Sequence, residues 1–223
     1  MTVRIKVCGI TRLEDARLAA ALGAAAVGFN FWSQSPRCIA PARARRIGEA
    51  LSAKVDKVGV FVNATLSEIE RVAAEAKLSA IQLHGEESPA LAQALALPVL
   101  RAFRRRGPAA EPEMLRYPCA AVLLDASVPA AYGGTGQLAD WELAGRVARS
   151  RRLILAGGLN PQNLVAAVAS VRPYGVDLNS GVELSPGRKD PDLLRAAFAA
   201  LSRWGTAPGF GLQLDPLVPE ALA

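Results

Sequence analysis

Short apolar runs alternate with alanine-rich stretches of helical period along almost the whole chain. The runs are VRIKV (3–7), AAVGFNF (25–31), VDKVGVFV (55–62), SAIQL (79–83), PVLRAF (98–103), AAVLLD (120–125), RLILAG (152–157) and YGVDLN (174–179). Near-continuous apolar runs predict strands covered on both faces, as in a parallel sheet. Between them, TLSEIERVAAEAK places Leu66, Ile69, Val72, Ala73 and Ala76 on one helical face, with Thr65 and Glu68 spaced as a capping box. NPQNLVAAVAS predicts a helix capped by Asn160 with Pro161 at its first position. DPDLLRAAFAALSRW repeats that design, Asp190 capping a stripe of Leu194, Ala197, Phe198 and Leu201. The weakest helical pattern is RRRGPAAEPEML after the fifth run, which holds two prolines and a glycine.

Eight alternations at about 28 residues per unit come close to the roughly 31 of a typical eightfold barrel, and predict an α/β chain folded as a single (β/α)8 TIM barrel. A doubly wound open sheet normally needs fewer strands at this length, and no GxGxxG follows the first run. The barrel is expected over residues 1–204. Residues 205–223, GTAPGFGLQLDPLVPEALA, read as a Gly/Pro-rich loop or partly ordered extension and not as a separate domain.

Composition narrows the function class. The net charge of +6 comes mostly from arginine, 21 of the 26 basic residues. These are scattered, apart from residues 104–106 and the pairs Arg45, Arg46 and Arg151, Arg152. A nucleic-acid binder concentrates such charge on one element, so the balance favours attraction of small anions instead. Three cysteines (Cys8, Cys38, Cys119) with no CxxC spacing, and a single histidine, argue against a disulfide framework and a zinc site. The N-terminus lacks signal-peptide patterning, and the longest apolar stretch, 18–29, falls short of the about 20 residues needed to span a bilayer. The expectation is a cytoplasmic protein with no metal, nucleic-acid or membrane partner.

In an eightfold barrel, chemistry gathers at the carboxyl ends of the strands, and polar groups there are costly to bury without a use. Those positions hold Cys8 and Gly9, Asn30, Asn63, Gln82 and His84, Arg101, Asp125, Gly157 and Gly158, and residues 177–181. The glycine-bearing stretches AGGLNPQN and NSGVELSPG occupy the seventh and eighth loops, where backbone N–H groups can approach a phosphate. The second-loop segment SQSPRCIAP (33–41) carries Arg37, whose planar fork suits a carboxylate. The long sixth loop, DASVPAAYGGTGQLADW, reads as a substrate-lining lid. Each has an ordinary counterpart: a plain turn, a solvated arginine, a hydrogen-bonding wall histidine, a small core cysteine.

The segments KVCGIT, GFNFWSQSPR, VGVFVN, IQLHG, LLDASVPAAYGGTG, LAGGLNPQN and the stretch GVDLNSGVE through SPG occur together in this order. On them the chain resembles the phosphoribosylanthranilate isomerases of tryptophan biosynthesis, from Lys6 to about Phe198. That resemblance implies a cofactor-free Amadori rearrangement of a phosphosugar substrate by a monomer or homodimer. It implies Cys8 as general base, Asp125 as general acid, Arg37 on the substrate carboxylate, and Gly157, Gly158, Asn179, Ser180 and Gly181 around the phosphate. Gln82, His84 and Asp177 are expected to complete the pocket. The physical logic agrees: ring opening needs a proton on the ring oxygen, and the Schiff base then loses its C2 proton to a base. A free thiol, a few per cent ionised at pH 7, suffices if well placed.

Gln34, Cys38 and Gln137 depart from the family pattern, which commonly has a basic, an aromatic and a basic residue there. The related isomerase of histidine synthesis is a weaker match, because it uses aspartates at both catalytic strand ends. A non-catalytic phosphosugar-binding barrel is a second alternative; it predicts loss of Cys8 or Asp125, and both are present.

Overall fold

The computed structural model describes residues 2–104, 107–125, 139–205, 207 and 209–211. The sixth-loop residues 126–138, Gln137 among them, Arg105, Arg106 and the chain beyond residue 211 lie outside the described residues. Eight parallel strands, each hydrogen-bonded to the next and the last to the first, close a barrel. They are β1 (Arg4–Val7), β2 (Ala26–Asn30), β3 (Asp56–Phe61), β4 (Ala80–Leu83), β5 (Val99–Phe103), β6 (Ala121–Leu124), β7 (Leu153–Leu155) and β8 (Gly175–Leu178). Helices α1 (Leu13–Ala21), α2 (Pro41–Glu49), α3 (Leu66–Ala76), α4 (Pro89–Ala94), α5 (Glu111–Arg116), α6 (Trp141–Ala148), α7 (Leu164–Val171) and α8 (Pro191–Leu201) follow the strands in turn.

Strand parity sorts the side chains. Val27, Phe29, Ile81, Leu83, Val122, Leu124, Leu153, Leu155, Val176 and Leu178 face outward into the layer beneath the helices. Ala26, Val58, Ala80, Leu100, Ala121, Leu123 and Ile154 fill the barrel interior. Successive strand residues point to opposite faces, so Lys6, Cys8, Gln82, His84, Asp125 and Asp177 share the interior parity. The same alternation that builds the core therefore aims these polar groups at the barrel's upper mouth.

The helix caps follow local chemistry. The Thr65 side chain accepts from the Glu68 N–H, and Asp190 accepts from the N–H groups of Asp192 and Leu193. Leu194, Ala197, Phe198 and Leu201 of α8 are buried as one stripe. The weak fifth unit is a 3-10 turn (Pro108–Ala110) followed by the short α5. Both of its prolines sit in first turns, where the missing N–H breaks no bond. One expectation is corrected: Asn160 and Pro161 do not start α7, which begins at Leu164. Asn160 Oδ1 accepts from the N–H groups of Gln162 and Asn163, closing a turn ahead of the helix, because short polar side chains compete for nearby backbone donors.

The other end of the barrel is stoppered from the C-terminal side. Phe210 is fully buried among the interior residues. Its N–H donates to Asp56 Oδ2 at 2.7 Å, and its carbonyl accepts from Tyr174 Oη. Arg4 and Arg152 donate to the carbonyls of Gly209 and Gly211, and both guanidiniums stack over the Tyr174 ring. Phe210→Ala should lower the unfolding free energy by about 3 kcal/mol, the scale for truncating a buried phenylalanine, while leaving KM unchanged. Urea denaturation checks it, and an unmoved midpoint would mean that the segment does not stopper the barrel.

Candidate active site

At the carboxyl ends of the strands, an open cleft of about 590 Å³ is lined by Cys8, Asn30, Gln82, His84, Asp125, Asp177, Gly157, Gly158, Asn179, Ser180 and Gly181, among others. Of the residues singled out above, Gly9, Arg37, Asn63, Arg101 and Leu178 do not line it. Asn63 takes a left-handed turn and accepts from the Glu86 N–H, while buried Arg101 pairs with Glu87 at 2.6 Å and donates to the carbonyls of Leu83 and Gly85. Asn63 and Arg101 thus brace the loop after β4 on which His84 rides.

On β1 and β8, register places Lys6 opposite Asp177, and the Cys8 N–H donates to the Leu178 carbonyl at 2.8 Å. Lys6 is fully buried, and its Nζ lies 2.8 Å from Asp177 Oδ2. Gly28 of β2 leaves the room: a Cβ there would come within 2.7 Å of Cys8 Sγ and 3.2 Å of Lys6 Cε. Burial works against the Lys6 ammonium, but Asp177 and Cys8 hold its pKa above the usual lysine range. Burial also pushes the Asp177 carboxyl up, against the pull of Lys6. These two tendencies oppose each other, and the 2.8 Å contact to a lysine that pairs with no other carboxylate among the described residues favours the ionised pair.

Burial raises the Cys8 thiol above the ordinary range, with Asp177 adding to the shift and Lys6 and Lys189 opposing it. The expectation of an ordinary thiol, a few per cent ionised, is therefore corrected: enclosure in the barrel makes the resting thiolate scarcer.

Across the mouth, Gln82 Nε2 and His84 Nδ1 are 2.8 Å apart, and His84 Nε2 is 3.3 Å from Asp125 Oδ2. With the amide donating, the imidazole carries its hydrogen on Nε2, which lies near Asp125 but makes no hydrogen bond to it. The Asp125 backbone is held by an N–H bond to the Phe103 carbonyl at 2.9 Å.

The seventh and eighth loops lie against each other. Gly157 and Gly158 have φ of 80° and 64°, a region that disfavours side chains. A Cβ on Gly181 would stand 2.0 Å from the Leu159 carbonyl oxygen, so only glycine lets the loops approach. Asn163 Nδ2 donates to the Gly158 carbonyl at 2.9 Å and fixes the turn. Ser180 opens a single 3-10 turn (Ser180–Val182).

Arg37 is buried and held by Glu183, with Nη2 at 2.7 Å and Nε at 3.1 Å from both carboxylate oxygens. Lys189 Nζ pairs with the other side of the same carboxylate at 2.8 Å. Burial acts to raise the Glu183 carboxyl, yet Arg37 and Lys189 bring it below the usual range. Glu183 and Lys189 come from a small hairpin, β9 (Glu183–Ser185) and β10 (Arg188–Lys189), inserted between β8 and α8. Sequence reasoning passed over Lys6, Glu183 and Lys189. Lys6 had a usable signal, since it lies two residues before Cys8 and so on the same face.

The model of the N-(5'-phosphoribosyl)anthranilate (PRA) isomerase family matches residues 5–200. The chain belongs to that family. An N-(5'-phosphoribosyl)anthranilate isomerase of Citrifermentans bemidjiense is 49% identical over 196 residues, 88% of this chain and 95% of the relative. The crystal structure of the isomerase from Thermus thermophilus superposes with a TM-score of 0.84 at 49% identity, covering 90% of this chain and 99% of that one. A crystal structure of the isomerase in complex with reduced 1-(o-carboxyphenylamino)-1-deoxyribulose 5-phosphate has a TM-score of 0.80 at 40% identity, covering 89% and 98%. The cleft lies at the barrel end where such folds do their chemistry.

The raised thiol of this isomerase is directly measurable. In a Cys38→Ser background, which removes the exposed thiol, alkylation of Cys8 by iodoacetamide should accelerate with pH to a midpoint above that of free cysteine. Mass spectrometry of the modified chain follows it. A midpoint at or below the free value would mean that Lys6 and Lys189 outweigh burial.

Proposed function

We propose that this chain isomerises N-(5-phosphoribosyl)anthranilate to 1-(2-carboxyphenylamino)-1-deoxyribulose 5-phosphate for tryptophan biosynthesis, with Cys8 as the general base and Asp125 as the general acid. The observation that carries the assignment is that both groups line one cleft from separate strands, Cys8 beyond β1 and Asp125 beyond β6. Asp125 delivers a proton to the ring oxygen; the C1–O bond breaks and the aryl nitrogen lone pair forms the Schiff base. The Cys8 thiolate then removes the C2 proton, giving an enolamine that becomes the ketone. Burial that makes the thiolate scarce also strengthens it as a base. His84, oriented by Gln82, stands beside Asp125 and lines the cleft with it.

The phosphate belongs against Gly157, Gly158, Asn179, Ser180 and Gly181, where bare backbone lets N–H groups reach an anion. Arg37 takes the anthranilate carboxylate. Glu183 fixes its Nε side and leaves the guanidinium edge that carries Nη1 for the substrate. Every residue in this scheme comes from one chain, so a monomer and a homodimer would work alike. A cytoplasmic location fits three free cysteines and a phosphorylated substrate.

The test is a fluorescence assay of phosphoribosylanthranilate made in situ. Cys8→Ser keeps the shape and loses the ionisable thiol; Asp125→Asn keeps the volume and loses the transferable proton. Each should lower kcat by about 10² to 10⁴, with KM and melting temperature little changed. Near-native turnover in Cys8→Ser would make Cys8 a core residue and sink the mechanism. Arg37→Ala should reduce kcat/KM by the equivalent of about 2–4 kcal/mol, and Arg37→Lys should recover only part, since a point charge cannot reproduce the fork. Full activity in Arg37→Ala would move the carboxylate contact elsewhere.

A further inference from the structure

Asp177 has no task in the scheme above, although it lines the same cleft as Cys8 and Asp125. It is 93% buried by its 7% residual exposure. Lys6 occupies Oδ2, while Oδ1 has no hydrogen-bond partner among the described residues. A buried carboxylate oxygen left empty in a site costs stability unless a ligand fills it.

Its place on the ring says which ligand atom that is. The phosphate loops follow β7 and β8, and Arg37 follows β2. A substrate stretched between them crosses the ends of β8 and β1, which carry Asp177 and Cys8. A carbon whose hydrogen faced Cys8 would hold its hydroxyl toward one of the two strands beside β1, and of these β8 carries the unfilled carboxylate oxygen.

We infer that Asp177 is a second catalytic base, which takes the proton of the C2 hydroxyl when the enolamine collapses to the ketone. This rests on Cys8 being the base for the C2 hydrogen. In this step the O–H bond breaks and its proton goes to Asp177 Oδ1. The O–H electron pair forms the C2 carbonyl. The C1–C2 π pair takes a proton at C1 from the Cys8 thiol, which returns to thiolate. Asp177 ends with one proton more and Asp125 with one fewer, and exchange with solvent as product leaves resets both, so the isomerisation is proton-neutral. The upward push of burial on the Asp177 carboxyl makes it the stronger acceptor. Lys6 orients it and keeps it charged.

The experiment follows turnover and deuterium wash-in together, in D2O, with phosphoribosylanthranilate made in situ. In Asp177→Asn the C2 proton is still removed, but the enolamine is trapped and returns. The expected result is a kcat lower by about 10²-fold or more, with recovered substrate deuterated at C2 and the ratio of exchange to turnover raised at least tenfold. Because Asp177→Asn leaves Lys6 buried without a counter-charge, the Lys6→Met/Asp177→Leu double variant removes the pair as a unit and should fold. It should show the same raised ratio of exchange to turnover, with both rates lowered because the thiolate loses Lys6. Unchanged kcat in either folded variant, or an unchanged ratio of exchange to turnover, overturns the assignment. Cys8→Ser separates the two readings: it should abolish exchange, and persistent exchange there would refute Cys8 as the base whatever Asp177 does.

Discussion

When β1 pairs with β8 to close the barrel, it sets Lys6 against Asp177 across a sequence separation of 171. Two charges inside a barrel interior are tolerable only in that pairing, because either one alone carries a desolvation penalty of several kcal/mol. Neither strand can shift by one residue without turning a buried charge out to the helix layer and an apolar side chain in. The register fixed there places Cys8 one inward step above Lys6 and Asn179 one inward step above Asp177. The hairpin that follows β8 then reaches back, through Lys189 and Glu183, to hold Arg37 on the loop after β2. One seam thus determines the position of the thiol, the orphaned carboxylate oxygen and the guanidinium.

The rest of the site is made by leaving things out. Gly28 frees the volume that Lys6 and Cys8 occupy, and Gly181 lets the eighth loop touch the seventh. In both places a single methyl group would collide with something the site needs: the Cys8 sulfur in one, the Leu159 carbonyl in the other. The chemistry is crowded against backbone, and that crowding aligns it.

Much of this was legible beforehand, for a physical reason. Strands buried on both faces give apolar runs that stand out from alanine-rich helices, so the eight runs lie within one or two residues of the observed strands. Strand ends named the cleft residues because polar groups are rare at such places. Partnership across the closed ring was not legible. Lys6 sat hidden inside an apolar run, since a lysine reads as a strand interruption until its carboxylate is found on β8. Glu183 and Lys189 looked like loop charges until the hairpin folded under Arg37. Phe210 lies in a Gly/Pro-rich segment whose local pattern carries no periodicity, and only the open base of the barrel explains its burial. Asn160 misled because an asparagine before a proline caps a helix and closes a turn with the same side-chain oxygen.

The seam also explains why a thiol, and not a second carboxylate, stands at position 8. An aspartate there would put another buried negative charge beside Asp177, to which Lys6 is the one cation bonded among the described residues. Like charges so placed cannot both stay ionised, and one would take up a proton. A thiol avoids the conflict because it rests neutral. The small fraction that has already lost its proton is the acting base, and Lys6 and Lys189 are both near enough to oppose the cost of that charge. The ionised Asp177 is thereby kept available with one oxygen unfilled, beside a thiol that is neutral in most molecules at rest.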